Sequence, residues 1–529
     1  MRINIALFMF VFLMGCSKKL PVIEQITFKH VLVIVGDDHS YKALGAYGND
    51  YIQTPNLDRL ASNGILFNRA YATSPICNAS RQSLLTGKFP HATGVNQLFT
   101  PFPDESNLTI AEYLRSKDFS TGIFGKTHFN NWLWAPLYKN GLPDHGFDLN
   151  VGRDDYRSFV KEHPYQQLPP GSKTRENQNG KGVSWQKNAS MLPVGHKSHE
   201  TYSAFLVNKA IENLKRADKR TFTWVAFQEP HAPFVYPIEF QQLYHADSVP
   251  LPKGSPEDDR WIPEIFKDLT EKERRGIITS YYRSVSHMDN QVGQILNGLE
   301  ENGLMDETLI IYLGDQGYLL NDHKRFEKHS FWEESIRAPL IISGHGLPKG
   351  ITYESPVSFI DIAPTITDYL GLKTVPDFQG RSLRSRIEEG EASDTTYIFS
   401  EYLLDNKAMV TNKRWKYIFT TGSRDQTMSY GTGFGPSGMY HRLYDLKKDP
   451  NESTNLAYDH EYQNMIIDMQ SVMLEYFENT HPEAHKCPNS LNKLGKLVWY
   501  LEPRDLGGDY EERPARVFEG EEYIPESID

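Results

Sequence analysis

Four apolar runs in this chain each end in polar residues able to do chemistry. VLVIV runs into Gly36-Asp37-Asp38, TGIF into Gly125-Lys126-Thr127-His128, TWVAF into Gln228-Glu229-Pro230-His231, and LIIYL into Gly314-Asp315-Gln316-Gly317. Asp37, Asp38 and Asp315, with the amide of Gln316, make a set of hard oxygen donors. Three carboxylates brought together repel one another unless a cation neutralises them. An all-oxygen set with no cysteine cluster favours calcium or magnesium over zinc. Calcium takes roughly 6–8 oxygens, so the substrate and residue 77 would supply the rest. Arg81, Lys126 and Lys328 form a candidate cationic clamp, with His128 and His231 beside it. Such a group around one nucleophile suits an ester of a multiply charged oxyanion, phosphate or sulfate. Any one of these residues alone reads as a turn, a helix cap or a solvated charge. Their placement at four strand ends is what points to a site, since ligands of open α/β sheets bind there.

The stretch PICNASRQSLLTG at residues 75–87 sets Cys77 among polar residues. A structural thiol prefers apolar neighbours, and here they are Asn78, Ala79 and Ser80. The chain has 3 cysteines. With Cys16 set aside as part of an export signal, a disulfide between Cys77 and Cys487 is an open reading for an exported chain. The polar surroundings of Cys77 argue against it.

The elements that must position these residues alternate along the chain. HVLVIVGDD (30–38) has the continuous β-branched character of a strand buried on both faces. Helical spacing is read over 106–117, 197–217 and 280–303, and further strands over 119–128, 221–233, 307–317 and 338–344. The fold class expected is α/β, a large mixed, mostly parallel sheet flanked by helices. From about residue 390 the texture changes. Short strands at 414–421 and 441–457 and a helix at 459–477 predict a smaller C-terminal α+β antiparallel-sheet subdomain. The stretch from about 163 to 197 reads as a surface insertion. The division expected is a signal peptide at 1–15, a lipidated linker at 16–27, a catalytic domain at 28–390 and a C-terminal subdomain at 391–529.

The 529 residues carry a net charge of −12, which supplies no basic excess for nucleic-acid phosphates. At the N-terminus, one arginine precedes an apolar run from Ile3 to Met14, too short for a bilayer span of about 20 residues. It reads as a signal-peptide core, so the chain is expected to be exported. Leu13-Met14-Gly15-Cys16 resembles the lipobox of bacterial lipoproteins. Acylation of Cys16 would hold the protein on a membrane, facing the periplasm or cell surface.

CNASRQSLLTG resembles the signature of type I, formylglycine-dependent sulfatases of the alkaline phosphatase superfamily, usually Cys-x-Pro-Ser-Arg followed by Leu-Thr-Gly. GDDHSYKALGAYGN, TPNLDRLASNGILFNRAY, GKTH, EPHAP, LGDQG, EKHSFWEESIRAPLII and LYDLKKDPNESTNLA follow the order of that family's motifs. Ala79 stands where proline is commoner and Gln316 where asparagine or histidine is frequent. The resemblance implies hydrolysis of sulfate esters after a maturation enzyme, either formylglycine-generating or anaerobic, has oxidised Cys77 to Cα-formylglycine (3-oxoalanine). One hydroxyl of the hydrated aldehyde would attack sulfur. The other would lose its proton, expel sulfate and regenerate the aldehyde. It implies one Ca2+ held by Asp37, Asp38, Asp315, Gln316 and modified Cys77. Arg81 would orient the gem-diol, Lys126 and Lys328 bind sulfate oxygens, His128 deprotonate the second hydroxyl, and His231 protonate the leaving alcohol. Export and lipidation suit a sulfated polysaccharide or oligosaccharide, such as ulvan or a glycosaminoglycan. Trp132, Trp134, Tyr138, His39, Arg283 and His287 are weighed as a sugar subsite, against core packing for each. The alternatives are a phosphodiesterase or phosphonate monoester hydrolase of the same superfamily, and a non-catalytic, lipid-anchored glycan-binding protein.

Overall fold

The computed structural model describes residues 27–501, apart from 97–99, 101, 104–105, 130–142, 169–170, 175–187, 216–218, 390–395, 404–405 and 422–438. Cys16, Trp132, Trp134, Tyr138 and the signal-peptide reading lie outside the described residues. Strand β1 (His30–Asp37) is buried along its whole length. Its alternate side chains divide between two cores, Val31, Val33 and Val35 in one and Leu32 and Ile34 in the other. Period-two alternation of apolar residues on both faces is what a sheet covered by helices on each side requires.

Seven more strands complete this sheet: β2 (Gly64–Phe67), β3 (Ser120–Gly125), β4 (Leu149–Val151), β5 (Thr221–Pro230), β6 (Thr308–Gly314), β7 (Leu340–Ser343) and β8 (Ile351–Tyr353). Their order across the sheet is β8-β2-β7-β6-β1-β5-β3-β4. β1 runs parallel to β5 and β6, and β3 parallel to β5. β7 alone is reversed, antiparallel to both β2 and β6. The sheet is thus mixed but mostly parallel, as expected. Parallel pairing puts the carboxyl ends of β1, β3, β5 and β6 at one edge, so the four polar strand ends meet.

Helices α1 (Pro55–Ser62), α2 (Cys77–Thr86), α3 (Tyr202–Lys215) and α4 (Glu271–Glu301) pack around the sheet. The helix expected at 280–303 is α4, and it starts earlier because Thr270 and Glu273 form a capping box. The helix expected at 106–117 shortens to Ile110–Arg115, capped in the same way by Thr109 and Glu112.

The C-terminal part forms an antiparallel sheet of β9 (Ile398–Tyr402), β10 (Lys407–Thr411), β11 (Trp415–Thr420) and β12 (Tyr440–Asp445), in that order. Helix α5 (Gln463–Thr480) lies over one face, where Val410, Tyr417 and Phe419 meet Met469, Met473 and Phe477. Met409, Ile418 and Tyr444 on the other face join the first core of the large sheet. The small sheet also grips the chain entering α2. Ser400 Oγ donates to the Ala72 carbonyl at 2.6 Å, and the Glu401 amide donates to the Thr73 carbonyl at 2.9 Å. Glu401 Oε2 further pairs with His91 Nδ1 at 2.8 Å.

A second joint is ionic. Lys416 of β11 bridges Glu333 at 2.6 Å and Glu452 at 2.9 Å. Lys42 pairs with Glu334 and lies 2.9 Å from Asp322. His323 meets Asp258 at 2.7 Å and Glu334 at 3.6 Å. His323, Glu334 and Glu452 are close enough to hold a metal ion. Lysines already neutralise both carboxylates, so we read the cluster as a buried ion network.

Candidate active site

The carboxyl edge of the large sheet gathers the residues singled out in the sequence. β1 delivers Asp37 and Asp38, with Asp38 in a left-handed backbone at φ 63°. Its amide donates to Asp315 Oδ1 at 2.9 Å, and its carbonyl accepts from Tyr281 Oη at 2.5 Å. Asp315 follows β6, where its amide donates to the Gly36 carbonyl at 3.0 Å. The two strand ends are therefore tied together through the main chain.

Cys77 is the first residue of α2, 3% exposed, and every residue of that helix is buried. Cys77 and Cys487 form no disulfide with one another. Burial pushes the Cys77 thiol up, against the opposing pull of Lys126 and Lys328. One turn along, Arg81 is 1% exposed. Its Nε donates to Asp315 Oδ2 at 2.8 Å and its Nη1 to the Lys126 carbonyl at 2.8 Å, while Nη2 lies 3.7 Å from Asp37 Oδ1. Ser80 Oγ donates to the Asp315 carbonyl at 2.5 Å. Helix α2 is thus locked to the ends of both β6 and β3.

β3 delivers Lys126 and His128. Gly125 makes the exit possible, since its φ is +113° and a Cβ there would meet the Ala226 carbonyl oxygen at 2.0 Å. Lys126 pairs with Asp37, and Lys328 Nζ donates to Asp38 Oδ1 at 2.6 Å. Burial would raise the Asp37 carboxyl, but Lys126, ahead of His231 and Arg81, holds it well below its usual range. Asp315 is pushed the other way, to about 7, by burial and by Asp37 and Asp38, against Arg81.

His128 sits at φ 56° and is held neutral by burial and by the cations of Lys126 and Arg81. His231, after β5, is also lowered by burial, with Asp38 and Asp37 opposing. Its Nδ1 donates to the Ala232 carbonyl at 2.5 Å, which leaves Nε2 free 3.7 Å from Asp38 Oδ2.

The residues present suit a hard cation. Asp37, Asp38 and His231 offer ligand atoms within 4.8 Å of one another. Asp37 Oδ1 and Gln316 Oε1 are buried without hydrogen-bond partners. A cation among these oxygens would also offset the repulsion from Asp37 and Asp38 that adds to burial in raising Asp315.

Three candidates for a sugar subsite are core residues instead. His39 is buried between Tyr312 and the Ala43 carbonyl, Arg283 donates to the Tyr244 carbonyl at 2.6 Å, and His287 is fully buried. Burial lowers His39 to about 4 and His287 to about 3, so both are neutral. Tyr281 was not anticipated. It falls in a stretch legible only as an amphipathic helix, and its bond to the Asp38 carbonyl spans 243 residues.

The Sulfatase family model matches residues 29–372. A second model, N-sulphoglucosamine sulphohydrolase, C-terminal, matches residues 321–479. The chain is similar to a sulfatase of Formosa agariphila, 27% identical over 86% of this chain and 88% of that one. It is also similar to an N-acetylglucosamine-6-O-sulfatase of Bacteroides thetaiotaomicron, 24% identical over 86% of this chain and 87% of that one. Among solved structures, a phosphonate monoester hydrolase of Agrobacterium radiobacter shares the fold with a TM-score of 0.71 at 24% identity, covering 85% of this chain and 96% of that one.

Proposed function

The chain belongs to the sulfatase family and is a sulfuric ester hydrolase; from that premise we propose that it desulfates a sulfated polysaccharide or oligosaccharide, using formylglycine at position 77 and one calcium ion. The observation that carries the reading is the buried thiol of Cys77 at the start of α2, in reach of the charges of Lys126, Lys328, Asp37 and Asp315. A thiol raised by burial is a poor nucleophile. Conversion to hydrated formylglycine would replace it with a hydroxyl nucleophile at the same place. The glycan class is supported by the N-acetylglucosamine-6-O-sulfatase relative and by the C-terminal match to N-sulphoglucosamine sulphohydrolase. A lipid on Cys16 and a catalytic unit at 28–390 with a C-terminal unit at 391–529 belong to the same proposal. Among the described residues no helix is long and apolar enough to cross a membrane.

Asp37, Asp38, Asp315 and Gln316 would hold the calcium with residue 77, and the ion when bound would polarise a sulfate oxygen. Hydrated formylglycine would supply a hydroxyl as nucleophile. Arg81, anchored on Asp315, orients residue 77 from one turn along its own helix. Lys126 and Lys328 neutralise the sulfate oxygens, their ammonium groups already standing at the metal carboxylates. His128, neutral at working pH, accepts a proton. His231 presents Nε2 to the leaving oxygen, and Asp38 stabilises its protonated form. The maturation enzyme is the partner implied for Cys77.

The test is peptide mass spectrometry of protein made in a host with a maturation enzyme, alongside assays on an aryl sulfate and on sulfated oligosaccharides. The Cys77 peptide should be about 18 Da lighter, sulfate should be released, and Cys77→Ala should abolish release. Release of the alcohol from a phosphonate monoester or a phosphate diester, without sulfate release, would overturn the substrate class. An unconverted thiol in active protein would overturn the nucleophile.

A further inference from the structure

Gln82 follows Arg81 in α2 and is fully buried. A carboxamide is retained at such a position for the hydrogen bonds it makes, because an apolar side chain of equal volume would fill the space without desolvating polar atoms. Gln82 Nε2 donates to the main-chain carbonyl of His128 at 2.9 Å, with Asn78 Oδ1 a longer second acceptor at 3.4 Å. Gln82 Oε1 is buried without a hydrogen-bond partner, so the donated bonds alone orient the amide.

The carbonyl it reaches belongs to a residue that needs holding. His128 lies at φ 56°, in the left-handed region that non-glycine residues keep only where their surroundings enforce it. Arg81 grips the same segment, donating from Nη1 to the Lys126 carbonyl at 2.8 Å. Two consecutive side chains of the nucleophile helix thus hold alternate carbonyls of the segment leaving β3. The imidazole so placed feels the charges of Lys126, Arg81, Asp37 and Lys328.

We infer that Gln82 is a positioning residue for sulfate-ester cleavage: its carboxamide pins the His128 main chain in the left-handed conformation that keeps the imidazole in the site. Gln82 acts through His128 and needs no contact with substrate. The inference rests on the reading that His128 carries a proton in the reaction.

The experiment is a double-mutant cycle of Gln82→Met and His128→Ala, with aryl sulfate as the probe and calcium saturating. Because Gln82 lies within the stretch a maturation enzyme would recognise, rates are taken per formylglycine counted by peptide mass spectrometry. Displacing a catalytic group by about 1 Å can cost on the order of 10²-fold, so Gln82→Met is expected to lower kcat roughly 10- to 100-fold. KM should stay within about threefold, and in the His128→Ala background the same change should cost less than about twofold. A crystal structure of Gln82→Met should show residue 128 out of the left-handed region. Full activity in Gln82→Met, or equal losses in both backgrounds, would overturn the inference while leaving the role of His128 intact. Full activity in His128→Ala alone would overturn both. If Gln82→Met does not fold, Gln82→Glu answers the same question, since its carboxylate keeps the volume and repels the carbonyl it should bond.

Discussion

At the scale of single residues, the site is a set of side chains whose charges cancel only jointly. Arg81 is the clearest case, because its guanidinium reaches Asp315, Asp37 and the Lys126 carbonyl from one position. An ammonium at the same place cannot make the two hydrogen bonds, to Asp315 and to the Lys126 carbonyl, and still stand beside Asp37. Arg81→Lys should therefore lower kcat by about 10²–10³-fold with the fold retained, the size seen when one preorganised donor is lost. Steady-state rates per formylglycine and a melting curve check it together. Tyr281 acts on the proposed metal site from behind, donating to the Asp38 carbonyl at 2.5 Å and accepting from the Ser40 amide at 2.9 Å. Tyr281→Phe strips both bonds and leaves buried main-chain groups unpaired, which costs about 1–3 kcal/mol. Calcium affinity measured by titration calorimetry should fall by about tenfold or more. An unchanged affinity would show that the left-handed turn at Asp38 needs no support. Chelation should likewise lower the melting temperature of the matured enzyme, and added calcium should restore it. Stabilisation grows by about 2.7 kcal/mol at a hundredfold excess over Kd.

At the scale of elements, the strand ends were the legible part. VLVIV, TWVAF and LIIYL are β-branched or apolar throughout, and each becomes a strand buried on both faces. Helix ends were less legible, although their signals are present. Thr109-Ile-Ala-Glu112 and Thr270-Glu-Lys-Glu273 both have the capping-box spacing, and they start the helices that apolar periodicity misplaced. The contacts that aim the site were not legible at all. Tyr281 on Asp38 and Gln82 on His128 join side chains to carbonyls far along the chain, and no local pattern encodes them. Gly125 is an intermediate case: a strand-ending glycine is visible in sequence, but its reason is the Ala226 carbonyl on the neighbouring strand. Gly125→Ala should be strongly destabilising, by about 3 kcal/mol or more, because both the positive φ and the contact are forbidden to a Cβ. Denaturant unfolding of the unmatured protein is the measure, and a loss under about 1 kcal/mol would mean that β3 and β5 can part without harm.

For the whole molecule, the question is how the C-terminal sheet keeps the nucleophile helix in place. Part of the answer is the ionic joint. There Trp332 stacks on His323 at 4.3 Å, Asp258 bonds Nδ1, and Glu334 lies beyond Nε2. His323 is 5% exposed. Burial opposes its charge, yet the hydrogen bond to Asp258 and the nearby Glu334 carboxylate outweigh burial and raise the imidazole from 6.5 to about 9. A group whose folded value lies above its unfolded value favours folding in its protonated form. Its stabilisation is therefore complete below about pH 6.5 and lost as pH rises through about 9. The span between those values sets an upper limit of about 3 kcal/mol. His323→Gln keeps a polar side chain of similar reach but carries no charge. The variant should be less stable than the parent at pH 6 and approach it at pH 9.5, in guanidinium unfolding at constant calcium. The loss should appear as earlier separation of the C-terminal sheet, read by hydrogen exchange in β11, where Lys416 belongs to the same network. Parallel stability curves across that range would mean that His323 is neutral in the folded protein. The joint would then be held by the remaining cations, Lys42 and Lys416 with Arg337 on Glu333.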